Sequence, residues 1–164
     1  MRRLILVSVV ALGACTKEAP VEKYQTDAAT EAQAAKPIEG CDGFGQTVRA
    51  LAFRKAARDI KDEVGGQPEA SRTKCLNEWG AALDKVGGGF WMKIDCAQAD
   101  TKHLVELWNA TKAEDRADPM KFPEHGDDAL NAFNNAAQPV VDEAAGEIVR
   151  RARAAGSGEC FAAK

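Results

Sequence analysis

Histidine is scarce, with only His103 and His125 in 164 residues. Acid–base and nucleophilic catalysis draw on His, Cys, Ser or paired carboxylates at interpretable spacings. The chain has no G-x-S-x-G, P-loop, H-E-x-x-H or dinucleotide fingerprint. A catalytic site is therefore not expected. The five cysteines form no C-x-x-C pair and no C-x-x-C-H, which excludes zinc knuckles, thioredoxin-like redox centres and covalent haem. No cofactor and no metal is expected. Long apolar runs are also missing. A membrane-spanning helix needs roughly 20 consecutive apolar residues, and the best stretch ends well short of that before Thr16. Clustered positive charge is nearly absent in a chain of formal charge −3, so nucleic acid is excluded as a partner. The one basic group, Arg150, Arg151 and Arg153, sits where cations suit the C-terminus of a helix.

The N-terminus carries the clearest signal. Arg2 and Arg3 are followed by the short apolar run 4–11 and then by small residues, the layout of a secretory signal peptide. It closes on Leu12-Gly13-Ala14-Cys15. This resembles the lipobox of bacterial lipoproteins, in which an aliphatic residue and two small ones precede a cysteine that becomes the mature N-terminus. The resemblance covers residues 1–15. It implies diacylglyceryl on the Cys15 sulfur, a further acyl chain such as palmitate on the new amino group, and a lipid anchor. Two or more chains hold a protein stably, since each buried methylene contributes about 0.8 kcal/mol. Thr16 after the cysteine, in place of Asp, favours the outer membrane by the same analogy. Loss of Arg2 and Arg3 takes the formal charge from −3 to −5.

Three segments follow: a signal peptide over 1–14, a lipidated Cys15 with a flexible tether over 15–40, and a folded domain over 41–164. The tether is expected from composition, because Ala, Glu, Lys, Gln and Thr with Pro20 and Pro37 cannot bury enough surface to offset their ordering entropy. Tyr24, its one aromatic, supports no binding claim. With Cys15 lipidated, Cys41, Cys75, Cys96 and Cys160 remain, an even number that reads as two disulfides in an exported chain. Three connectivities are open. Cys41 and Cys160 flank everything that looks folded, which makes Cys41–Cys160 with Cys75–Cys96 the preferred pairing.

Helical periodicity fills the domain. A helix over 42–64, capped by Asp42 and stopped at Gly65-Gly66, has a face that drifts. Phe44, Val48 and Leu51 lie on one side, and Phe53, Ile60 and Val64 nearly opposite, so it either bends near Ala52 or packs against different partners at its two ends. A second helix from Pro68 to the Gly87-Gly88-Gly89 run buries Cys75, Leu76, Trp79, Ala82, Leu83 and Val86. A third, capped by Asp95 with Gln98, has Leu104, Leu107, Trp108 and Thr111 as its inner edge. A polar loop is expected over 113–126. The last helix carries the stripe Leu130, Phe133, Ala137, Val141, Ala144, Ile148 and Ala152 and ends at Gly156. Pro139 on its outer face predicts a kink or two shorter helices. The fold class is all-α, four or five helices in a bundle-like domain braced by two disulfides.

Candidate sites are few. Trp79, Phe90, Trp91, Met92, Trp108 and Phe122 concentrate aromatic and Met side chains that would line a partner-binding surface or else fill the core. His103 with Glu106, and Glu124 with His125, supply the only residues for a metal, small-molecule or catalytic alternative. The sequon at Asn109-Ala110-Thr111 reads as chance on a helix. The functional expectation is an envelope lipoprotein, anchored to the membrane through Cys15, with a non-catalytic protein-binding or structural role. In layout it is similar to pilotins, small lipidated helical proteins that escort secretin subunits to the outer membrane.

Overall fold

A computed structural model describes Val21, Lys23, Tyr24 and residues 37–90, 98–116 and 128–162. Among these residues the fold is all helical: α1 (Gly40–Gly65), α2 (Glu69–Gly87), α3 (Ala99–Ala110), the single turn α4 (Ala113–Arg116), α5 (Asp128–Ala155) and a closing 3-10 turn, Glu159–Phe161. No described helix is long and apolar enough to cross a membrane.

Helices α1 and α5 form the frame. At 1.5 Å per residue they extend about 39 and 42 Å. They run side by side in the same direction: Phe44 shares a core cluster with Phe133, Lys55 lies 3.9 Å from Asp142, and Glu63 pairs with Arg153 at 2.8 Å. The third position of the bundle is divided between two shorter helices. Helix α2 returns along the C-terminal halves of the frame, and α3 covers the N-terminal halves.

That division explains the drifting face of α1. Phe44, Val48 and Leu51 pack with Leu104 and Trp108 of α3 and with Phe133, Ala137 and Val141 of α5. Ala52, Phe53, Ala56, Ala57, Ile60 and Val64 pack instead with Trp79, Leu83 and Val86 of α2 and with Ala144, Ala145, Ile148 and Ala152 of α5. The helix has different partners at its two ends, one of the two expected outcomes. Alanines on both α1 and α5 leave the two backbones room to approach in the second cluster, where Trp79 and Ile60 then supply bulk.

Three local expectations are corrected or narrowed. Helix α5 passes through Pro139 as one helix, so the alternative of two shorter helices is excluded. The proline is exposed, so its ring meets solvent on the outer face while the buried stripe stays in register. The polar loop at 113 opens with the turn α4, and Arg116 donates to the carbonyls of Thr111 and, at 3.4 Å, of Asn109, satisfying the open end of α3. Helix α1 starts at Gly40, before Asp42, with Glu39 at the cap position and no side-chain cap bond. Gln98 takes the cap position of α3, while Asp95 lies outside the described residues.

The folded part also begins earlier than residue 41. Ile38 is buried in the cluster of Phe44 and Trp108, and its backbone is clipped by the Asn109 amide, which accepts from Ile38 N–H at 2.8 Å and donates to Ile38 C=O at 3.2 Å. The sequon asparagine is a structural fastener.

Candidate functional site

The cysteine pairing differs from the preferred one. Cys75 is bonded to Cys160, which rules out both Cys41–Cys160 and Cys75–Cys96. The reason is topological: the chain does not close end to end, because the turn after α5 folds across onto α2. Three further contacts fix that turn. Trp79 Nε1 donates to the Cys160 carbonyl at 3.0 Å, the Trp79 and Phe161 rings stand 4.7 Å apart, and Arg153 donates to the Phe161 carbonyl at 3.0 Å. Arg153 also lies over the Trp79 ring and holds Glu63, joining α1, α2 and α5 at one end of the bundle. Lys74 and Glu159, 2.9 Å apart, pair outside the bridge. Each shifts the other's titration, Lys74 upward and Glu159 downward, chiefly through their hydrogen bond.

Of the aromatics expected either to line a surface or to fill the core, those among the described residues fill the core. Trp79, Phe90 and Trp108 are 0, 3 and 0 % exposed, and they divide between the two clusters: Trp79 and Phe90 under α2, Trp108 under α3. Trp79 fills core where the frame supplies alanines, whereas Trp108 packs on Phe133 with ring centroids 4.8 Å apart and Phe90 meets Phe53 edge-on at 6.0 Å. Trp91, Met92 and Phe122 lie outside the described residues. His103 and Glu106 stand 4.0 Å apart on the solvent face of α3, with side chains 64 and 79 % exposed. Such a pair is mostly open to water among the described residues, unlike the enclosed polar groups of a ligand pocket. Glu124 and His125 lie outside the described residues, as does Cys96. Among the described residues no three His, Cys, Asp or Glu side chains gather as metal ligands would. The basic group near the end of α5 is internally paired: Arg150 and Arg151 both bind Glu147, and their hydrogen bonds draw its carboxyl down to about 2.

One contact was not legible in the sequence. Val21, Lys23 and Tyr24 are helical and seated on the flank of the bundle where α1 meets the last turns of α2. Val21 is fully buried. The Tyr24 ring stacks on Phe53 at 5.4 Å, its hydroxyl donates to Asp84, and Lys23 reaches the same carboxylate at 3.2 Å. The Tyr24 hydrogen bond, and after it Lys23, hold the Asp84 carboxyl below the usual aspartate range against its partial burial. The floor beneath them is built by Arg49, which donates to the carbonyls of Gly87 and, at 3.2 Å, of Phe90, closing the C-terminus of α2, while its guanidinium lies over Phe53. The tether composition concealed this contact, and the only sequence signal was the i, i+3 spacing of Val21 and Tyr24.

No protein-family model, curated protein or solved structure matches the chain.

Proposed function

We propose that this protein is an exported lipoprotein of the cell envelope, cleaved before Cys15 and anchored by lipid on that residue, whose helical domain serves a non-catalytic protein-binding or structural role at the membrane. The observation that carries the proposal is the order of Arg2-Arg3, an apolar run too short to span a bilayer, and Leu12-Gly13-Ala14-Cys15. The Cys75–Cys160 bridge supports export, since structural disulfides persist in oxidising compartments and are rare in reducing ones. In such a compartment the second bridge of the domain joins the two remaining cysteines, Cys41 and Cys96. The outer membrane is the favoured address, from Thr16. Protein binding is favoured over chemistry because the only histidine–carboxylate pair described, His103 with Glu106, faces open solvent.

Metabolic labelling with an alkyne analogue of palmitate tests the anchor. The wild-type protein takes up the label and the Cys15→Ser variant takes up none. Equal labelling of the two, or no labelling of the wild type, overturns the proposal.

A further inference from the structure

We propose that Val21, Lys23 and Tyr24 form a latch that shortens the lipid tether and turns one flank of the bundle toward the membrane. The inference rests on the anchor at Cys15 proposed above and adds what the domain does once anchored. Val21 lies six residues after Cys15 in the sequence. A fully extended chain covers about 3.5 Å per residue, so a seated Val21 keeps its docking point within about 20 Å of the lipidated cysteine. With the turn released, the next buried side chain among the described residues is Ile38, and the 23 intervening steps reach at most about 80 Å. The average reach of a flexible chain scales with the square root of its length, so release about doubles the mean separation.

The point of attachment changes as well. The latch sits beside Phe53, midway along α1, whereas Ile38 lies just ahead of the first turn. These positions are 15 residues apart, about 22 Å along a helix. Latched, the domain is held near the lipid by its waist, with the flank around Asp84 facing the surface. Unlatched, it hangs from the end of α1 where Asn109 clips Ile38.

The contact has the make-up of a reversible fastening. One apolar side chain is fully buried, one ring is stacked, and the polar grip converges on a single carboxylate whose side chain is half exposed. Exposed ion pairs and hydrogen bonds of this kind are individually weak. The bundle core does not depend on them, because α1, α2 and α5 pack on one another beneath the latch. The Tyr24 hydroxyl lies 3.8 Å from where a Cβ on Gly87 would stand, so the end of α2 lies in contact range of the latch.

The test uses the full-length lipidated protein, reconstituted in vesicles of phosphatidylethanolamine and phosphatidylglycerol that carry a dansyl headgroup lipid. Its own tryptophans serve as energy donors to the dansyl acceptor. Wild type is compared with Val21→Ser/Tyr24→Ser and with Asp84→Ala, the second of which leaves every buried side chain in place. The expected result is that transfer is more than halved in the double variant and reduced in Asp84→Ala, while trypsin cuts after Lys23 much faster in both. Unchanged transfer and unchanged cleavage in vesicle-bound variants overturn the latch and leave the anchor standing. Failure of the wild-type protein to remain with the vesicles overturns the anchor, and the latch with it.

Discussion

Replacing Cys160 with Ser lowers the unfolding free energy by about 3 to 5 kcal/mol, roughly 10 to 20 °C in Tm for a domain of this size. Cys75 and Cys160 are 85 residues apart in sequence. In the chain-entropy model, a loop of that length contributes about 4.5 kcal/mol by restricting the denatured chain, of which real bridges often deliver less. The bridge also holds down the last turn of the chain. When that turn lifts, Trp79 Nε1 loses the Cys160 carbonyl, Arg153 loses the Phe161 carbonyl, and the Trp79 ring loses Phe161. A buried donor left without an acceptor costs about 1 to 3 kcal/mol. Urea unfolding followed by tryptophan fluorescence measures the loss. The Cys75→Ser/Cys160→Ser double variant should match the single variant within error, because both remove the same bond. A loss below about 1 kcal/mol would mean that the denatured chain already keeps these segments together.

Gly156→Ala has the second largest effect expected, and its sign depends on Phe161. A Cβ at position 156 would stand 2.4 to 2.5 Å from three atoms of the Phe161 ring. That ring is buried and backed by Trp79, so it must leave its seat or push the turn away, at a cost of about 2 to 3 kcal/mol. Backbone geometry is no obstacle. Among the described glycines only Gly40 and Gly158 take positive φ, and Gly156 N–H bonds to the Ala152 carbonyl at 3.0 Å as a continuing helix would. In a Phe161→Ala background the same Gly156→Ala change therefore becomes neutral or stabilising, by up to about 1 kcal/mol, through lower entropy of the unfolded chain. A double-mutant cycle by urea unfolding measures the coupling. Equal destabilisation in both backgrounds would place the cost in the backbone and remove the ring from the explanation.

Sequence alone went furthest where one physical signal dominates. The stripe of α5 from Leu130 to Ala152 is buried as periodicity predicts, and so is the stripe of α2 from Cys75 to Val86. The two-faced pattern of α1 announced a helix with two sets of neighbours, because hydrophobic direction along a helix is a local property. Features set by contacts distant in sequence leave no such local signal. The cysteine pairing was inferred from chain order, but a 3-10 turn after Gly158 carries Cys160 back to α2, and no local pattern encodes that return. Trp79 and Trp108 read as either a shared surface or core filling, and which core each fills was not legible: α2 and α3 bury them in separate clusters. Val21 and Tyr24 sit in a stretch too polar to fold alone, and they order only because Phe53, Gly87 and Asp84 present a ready seat. Gly156 was legible as a helix stop, while its second role, as floor for an aromatic ring, needs the fold.

Intact-mass measurement of the membrane-extracted protein before and after reduction distinguishes a lipid-anchored, disulfide-braced helical domain from an unanchored or unbridged one. The expected result is a chain beginning at Cys15 with added acyl mass, four thiols that become available to alkylation only on reduction, and peptide maps joining Cys75 to Cys160 and Cys41 to Cys96. A chain without acyl mass on Cys15, or Cys41 and Cys96 found as free thiols in the unreduced protein, would contradict it.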